Sequence, residues 1–124
     1  MKIRIYDNSI RLRLDRAEVD LIAADRPVMG ATHFPDGAQF TYALNTDTGE
    51  ALQAVFDQGC IALQVPRAVA QHWANDDSEV SICGSLETSD GELSLLIEKD
   101  FECLEPRSGE DQSNRFRNPK AMLN

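Results

Sequence analysis

Apolar and polar residues alternate from the start of the chain. In "KIRIY", Ile3 and Ile5 fall on one face and Lys2 and Arg4 on the other. In "IRLRL", Ile10, Leu12 and Leu14 oppose Arg11 and Arg13. A period of two belongs to a strand with one buried face. The polar "DNS" between the runs is turn chemistry, because Asp and Asn tolerate left-handed backbone and bond their own main chain. The two runs therefore predict a β-hairpin. Asp15 then fits a helix N-cap, with Glu18 three residues on to complete a capping box. The period lengthens to that of a helix, with Val19, Ile22 and Ala23 on one face, until about Asp25, and Pro27 stops it. "VMGATHF" and "QFTYALN" follow as two more strands around the turn "PDG". The predicted order is β-β-α-β-β.

The same order recurs. "LQAVF" and "CIALQV" flank the turn "DQG", and Pro66 suits the first turn of a helix, where its missing N–H costs nothing. The helix "RAVAQHWAN" follows, with Val69, Ala70 and Trp73 on one face, and then "EVSICGSLE" and "ELSLLIE" around "TSDG". Ile10, Leu12 and Leu14 correspond to Ile61, Leu63 and Val65 at an offset of 51, and Arg16 corresponds to Arg67. Phe40, Tyr42 and Leu44 correspond to Leu93, Leu95 and Ile97 at an offset of 53. Aligning Asp7 with Asp57 places one inserted residue in the second turn. A single unit of about 50 residues is marginal alone, but two can bury their apolar strand faces together. The expectation is an α+β fold made by tandem duplication of a ββαββ unit, about 1–49 and 50–103, packed as an intramolecular pseudo-dimer. Its eight strands and two short helices form a barrel or sandwich. Residues 1–103 make one domain, and 104–124 form a polar C-terminal tail.

Composition narrows the class. The 124 residues are 42% hydrophobic and 27% charged, which is ordinary for a globular domain. No apolar run approaches the ~18 residues of a membrane span. The N-terminus has no continuous apolar stretch, so it does not read as a signal peptide. Cys60, Cys83 and Cys103 are an odd count without close spacing, which predicts reduced thiols and a cytoplasmic protein. The net charge of -9 is uneven: residues 27–98 carry only Arg67 against eleven acids. So acidic a middle repels nucleic acid and anionic membrane.

Two resemblances follow from these motifs. The unit "VFDQGCIALQVPRAVAQHWANDDSEVSI" resembles the swapped-hairpin domain of bacterial transition-state regulators and MazE-type antitoxins, and "IYDNSIRLRLDRAEV" is similar to the antitoxin version. Asp7 stands where that version has Gly, and Asp15 where it has Pro. The resemblance implies a fold, and basic hairpin residues that contact DNA. The opening "KIRIYDNSIRLRL" and the closing "IEKDFECLEPRSGEDQSNRFRNP" resemble a family of small acidic bacterial proteins of unknown function. That likeness spans most of the chain and implies no activity.

Candidate chemistry is sparse. Lys2, Arg4, Arg11 and Arg13 form a basic stripe on the outward face of the first hairpin, suited to phosphate contacts. The second unit has Ala62 and Gln64 at the places of Arg11 and Arg13, so a symmetric operator is hard to engage. The stripe reads better as a solvated face that guards a strand edge. No pair among His33, His72, Cys60, Cys83 and Cys103 has the spacing of a metal site, and nothing marks a lowered thiol pKa. The sequence predicts no catalytic residue, no metal and no cofactor. In the polar tail, Leu104, Phe116 and Met122 are spaced apolar anchors. They fit a tail that docks on its own domain, or an arm that grips a partner. The leading functional expectation is a non-enzymatic protein-interaction module; its oligomeric state is left open, with monomer favoured over self-association because the chain already imitates a dimer. The alternatives are a DNA-binding regulator or antitoxin-like protein using the basic hairpin, and a small-ligand binder or enzyme with a site between the repeats.

Overall fold

The computed structural model describes residues 1–102 and 116–117. The alternating runs form strands β1 (Lys2–Tyr6) and β2 (Ser9–Leu14), followed by helix α1 (Arg16–Ala23), β3 (Val28–His33) and β4 (Gln39–Asp47). The second half repeats the order as β5 (Gln53–Asp57), β6 (Cys60–Pro66), α2 (Arg67–Asn75), β7 (Ser81–Thr88) and β8 (Gly91–Lys99). Two short strands, β9 (Phe101–Glu102) and β10 (Phe116–Arg117), come last. The protein is α+β, with two four-stranded sheets and two short helices. Among the described residues, no helix is long and apolar enough to cross a membrane.

Each half gives one hairpin to each sheet. The strand orders are β1-β2-β8-β7 and β3-β4-β6-β5. Hairpins pair antiparallel, and the halves join through parallel ladders, β2 with β8 and β4 with β6. Exchanging the halves turns the first order into the second, read backwards. The registers obey the same exchange. Ile10, Leu12 and Leu14 pair with Leu95, Ile97 and Lys99, while Ile61, Leu63 and Val65 pair with Tyr42, Leu44 and Thr46. The offsets of 51 and 53 therefore hold rung by rung.

Three expectations need correction. The inserted turn residue does not exist: the turns are Asp7–Asn8 and Gln58–Gly59, still 51 apart, and Asp7 (φ 47) matches Gln58 (φ 50) in left-handed backbone. Hydrogen-bond register, not the identity of Asp7 and Asp57, decides the alignment. Pro66 is not in the helix; it ends β6 and caps α2 with ψ 134. Val69 is exposed although it lies only about 40° around α2 from the buried Trp73, on the side of it away from Ala70. The capping box of α1 is present as read, with the Asp15 side chain accepting from the Glu18 N–H and Glu18 accepting from the Asp15 N–H.

One core serves both sheets and both helices. It contains Leu12, Leu14 and Ile97 from the first sheet, Leu44, Leu63 and Val65 from the second, and Val19, Ile22, Ala70 and Trp73 from the helices. At each sheet border a glycine lets a side chain close the gap. A Cβ on Gly30 would meet the Tyr42 ring at 2.4 Å, and one on Gly84 would meet Leu52 Cδ1 at 2.4 Å. Register makes these glycines equivalent, since Gly30 pairs with Tyr42 and Gly84 with Leu95. The Tyr42 hydroxyl donates to the Met1 carbonyl at 2.8 Å, which ties the start of the first sheet to the second. Gly30→Ala is expected to cost about 1–3 kcal/mol in urea unfolding, because the ring must leave its place. Gly84→Ala is expected to cost less, because only a terminal methyl of Leu52 has to turn.

Candidate functional site

The basic stripe occupies the outer face of the first sheet. Register sets Lys2, Arg13, Glu98 and Ser81 in one row and Arg4, Arg11, Leu96 and Cys83 in the next. Like charges directly opposite each other on paired strands repel. Glu98 offsets that repulsion: its Oε1 accepts from Nε of both Arg11 and Arg13 at 2.6 Å. Lys2 Nζ lies 3.0 Å from Asp100 Oδ2. Burial alone would raise the Glu98 pKa, but the hydrogen bonds from Arg11 and Arg13 outweigh it and hold the carboxyl below its ordinary value. Three of the four cations are thus engaged within the molecule. In the second sheet the row matching Lys2, Arg13 and Glu98 is Gln53, Gln64 and Asn45, and the row matching Arg4, Arg11, Leu96 and Cys83 is Val55, Ala62, Ala43 and Met29.

The ends of the helices carry a different arrangement. Lys99, the last residue of β8, is only 3% exposed. Its Nζ donates to the Asp76 carbonyl at 3.0 Å and lies 5.6 Å from the centroid of the Trp73 ring. That ring is itself fixed, since Trp73 Nε1 donates to the Val80 carbonyl at 3.1 Å. Burial pushes the Lys99 ammonium below its ordinary pKa, against the raising effect of Asp77, Asp76 and Glu79. Lys99 lines a cleft of about 340 Å³ together with Arg16, Val19 and Asp20 from one half and Ala74 and Asp77 from the other. The cleft thus combines two cations, two carboxylates and two apolar side chains. A buried titratable group with a displaced pKa in a cleft is a mark of a binding site. Nothing in the spacing of these residues singled them out. Lys99 stands at the end of a strand, and its burial comes from a tryptophan 26 positions earlier.

Other candidates are distributed as follows. Nitrogen and oxygen donors of His72, Asp76 and Glu79 come within 4.8 Å of one another at the end of α2. The His72 side chain is 66% exposed, and it lies 3.2 Å from Glu79 and 3.9 Å from Asp76, in an exposed polar cluster. Cys60 and Cys83 are free thiols. Phe116 lies in β10, paired in parallel with Phe101 of β9. Leu104, Met122 and Cys103 lie outside the described residues.

These features define a small α+β scaffold whose halves share both sheets and enclose a cleft where they meet. The chain belongs to a family of unknown function (DUF7009), whose profile matches residues 1–120. This agrees with the likeness to an uncharacterised family read from the opening and closing segments. No curated protein and no solved structure matches the chain, so the likeness to transition-state regulators and MazE-type antitoxins has no counterpart among these findings.

The two displaced groups predict opposite pH behaviour. The contribution of Glu98 is present above the ordinary Glu range and is lost as pH falls through its lowered folded value. Glu98→Gln is expected to cost roughly 1 kcal/mol at neutral pH, with the deficit vanishing in acid, as read from chemical unfolding at a series of pH values. The cost of burying charged Lys99 is present below its folded pKa and is relieved as pH rises towards the ordinary 10.5. Lys99→Met is expected to match or exceed the wild-type stability at pH 7, and its advantage is expected to shrink in alkali.

Proposed function

We propose that the protein is a non-enzymatic interaction module whose C-terminal arm and acidic body engage a protein partner. The observation that carries this reading is the β9–β10 pair. Among the described residues, two rungs, Phe116 with Phe101 and Arg117 with Glu102, pair the arm with the end of the domain. So short a ladder gains few hydrogen bonds for the backbone order it imposes, so opening it costs little. A strand paired through so short a ladder can instead be added to an exposed sheet edge of a partner. The family profile extends through this segment to residue 120. The acid-rich stretch 27–98 supplies a field that speeds encounter with a basic partner.

The DNA-binding alternative has less support. Arg11 and Arg13 are held by Glu98, and the equivalent face of the other sheet has Ala62 and Gln64 in their places and carries no cation. Phosphate binding by this stripe would have to displace an internal carboxylate on one side and would find no cations on the other.

The deciding experiment is a pull-down from lysate of the native host, with the full chain beside a version ending at Asp100. A partner retained only by the full chain is the expected result. The same partner held by both versions would move binding to the body. No partner with either, or binding of duplex DNA with a steep salt dependence, would overturn the reading.

A further inference from the structure

The two halves keep an offset of 51 through the helix, where Val19 corresponds to Ala70. Beyond the helix the offset grows. Val28 pairs with Leu44 as Ile82 pairs with Ile97, so these two equivalent positions lie 54 apart. The second half therefore carries three additional residues between Ala70 and Ile82. They fall in the connection "DDSEV", residues 76–80, which folds back on the end of α2. The Asp76 carbonyl accepts from the Glu79 N–H at 3.0 Å and from Lys99 Nζ at 3.0 Å. The Val80 carbonyl accepts from Trp73 Nε1 at 3.1 Å and from the Lys99 N–H at 3.2 Å. Both ends of the added segment are thus fixed to the domain.

Three donor groups converge there. His72, in the last turn of α2, sets its Nε2 3.2 Å from Glu79 Oε1 and 3.9 Å from Asp76 Oδ2. All three donors lie within 4.8 Å of one another. Asp76 Oδ1 accepts from the Ser78 hydroxyl at 2.6 Å and the Ser78 N–H at 2.9 Å, which leaves Oδ2 on the His72 side. The Ser78 hydroxyl first, then its N–H, hold the Asp76 carboxyl below its ordinary pKa, so the group is an anion. The first half is built differently. By the offset of 51, Asp76 corresponds to Asp25 and His72 to Leu21. Asp25 is paired with the Arg67 guanidinium and accepts from the Thr46 hydroxyl. Asp76 instead faces an imidazole and a second carboxylate.

We infer that His72, Asp76 and Glu79 bind a divalent transition-metal ion of the zinc class, with water in its remaining positions. An ion about 2.0–2.2 Å from each donor sets the donors roughly 3–3.5 Å apart. The His72–Glu79 pair has that spacing already, and the other separations contract as exposed side chains swing inwards. Charge favours a cation. Asp76, Asp77 and Glu79 place three carboxylates at the negative end of the α2 macrodipole. Each of them acts to raise the Lys99 pKa against the effect of burial. One ammonium against three carboxylates leaves a surplus of negative charge, which a divalent ion neutralises. The imidazole favours zinc and its neighbours over calcium and magnesium, which take oxygen ligands. Histidine and cysteine spacing does not reveal this set, because two of its three ligands are carboxylates.

The test is titration of the full chain with Zn²⁺ at neutral pH, followed by calorimetry and by NMR of the histidine rings. One ion is expected to bind per chain, to shift the His72 ring and not the His33 ring, and to raise the thermal midpoint as its concentration rises. Co²⁺ at the same site is expected to show the d–d bands of nitrogen and oxygen ligands without thiolate charge transfer, which separates the site from the cysteines. His72→Ala removes an exposed side chain and is expected to abolish binding while circular dichroism stays unchanged. Glu79→Gln is the second variant, with the same expectation. Ser78→Ala frees the Asp76 carboxylate and is expected to weaken binding about tenfold, as for other groups that orient a metal ligand. Binding is expected to weaken in acid, because a protonated imidazole does not ligate. No saturable binding up to about 1 mM Zn²⁺, a Co²⁺ spectrum dominated by thiolate bands, or a folded His72→Ala variant with full affinity would each overturn the assignment.

Discussion

Leu12 and Leu63 sit in the second strand of their respective halves, and each lies beside a strand of the other half: Ile97 for Leu12, Leu44 for Leu63. Everything else depends on these two parallel ladders. They join residues more than 80 positions apart in one sheet and about 20 apart in the other. They leave neither half with a sheet of its own, so the apolar faces of both halves are buried together or not at all. The shared core, the glycines that let Tyr42 and Leu52 close the borders, and the cleft lined from both sides all follow from that interlock.

Local order was legible in the sequence because local physics writes it. The period of two in "IRLRL", the capping box of Asp15 and Glu18, and the stop at Pro27 each have a cause within a few residues. The partners of the strands were not legible. Alternation states which face is buried, but it carries no information about which strand lies alongside, and a hairpin donated to the other sheet reads the same as one kept. The same limit hid Glu98 and Lys99. Glu98 matters because β8 lies next to β2, and Lys99 because α2 sets Trp73 over the end of β8. The glycine pair did leave a trace: "VMG" and "ICG" share a final glycine at equivalent registers, a signal that only the ladder makes interpretable.

The two helix-end sites show how a repeated framework supports unlike chemistry. With Thr46, Asp25 and Arg67, one end closes on itself through an exposed ion pair, which contributes little to stability. At the other end, Lys99 is buried against Trp73 and donates to the Asp76 carbonyl, and burial pushes its ammonium below the ordinary pKa. On the basic sheet face, Glu98 engages Arg11 and Arg13 together and offsets one of their two charges.

The interlock also sets an order in time. As the chain leaves the ribosome, every strand of the sheet β3-β4-β6-β5 has been made once Pro66 is out, whereas the β1–β2 hairpin must wait for β8, which ends at Lys99. Synthesis of those 33 residues takes about 2–7 s at usual elongation rates. For that interval the first hairpin has one edge of β2 unpaired and its apolar side chains uncovered. The alternating arginines along it then keep a nascent edge from pairing with a neighbouring chain, a role that ends when Glu98 arrives to bind them.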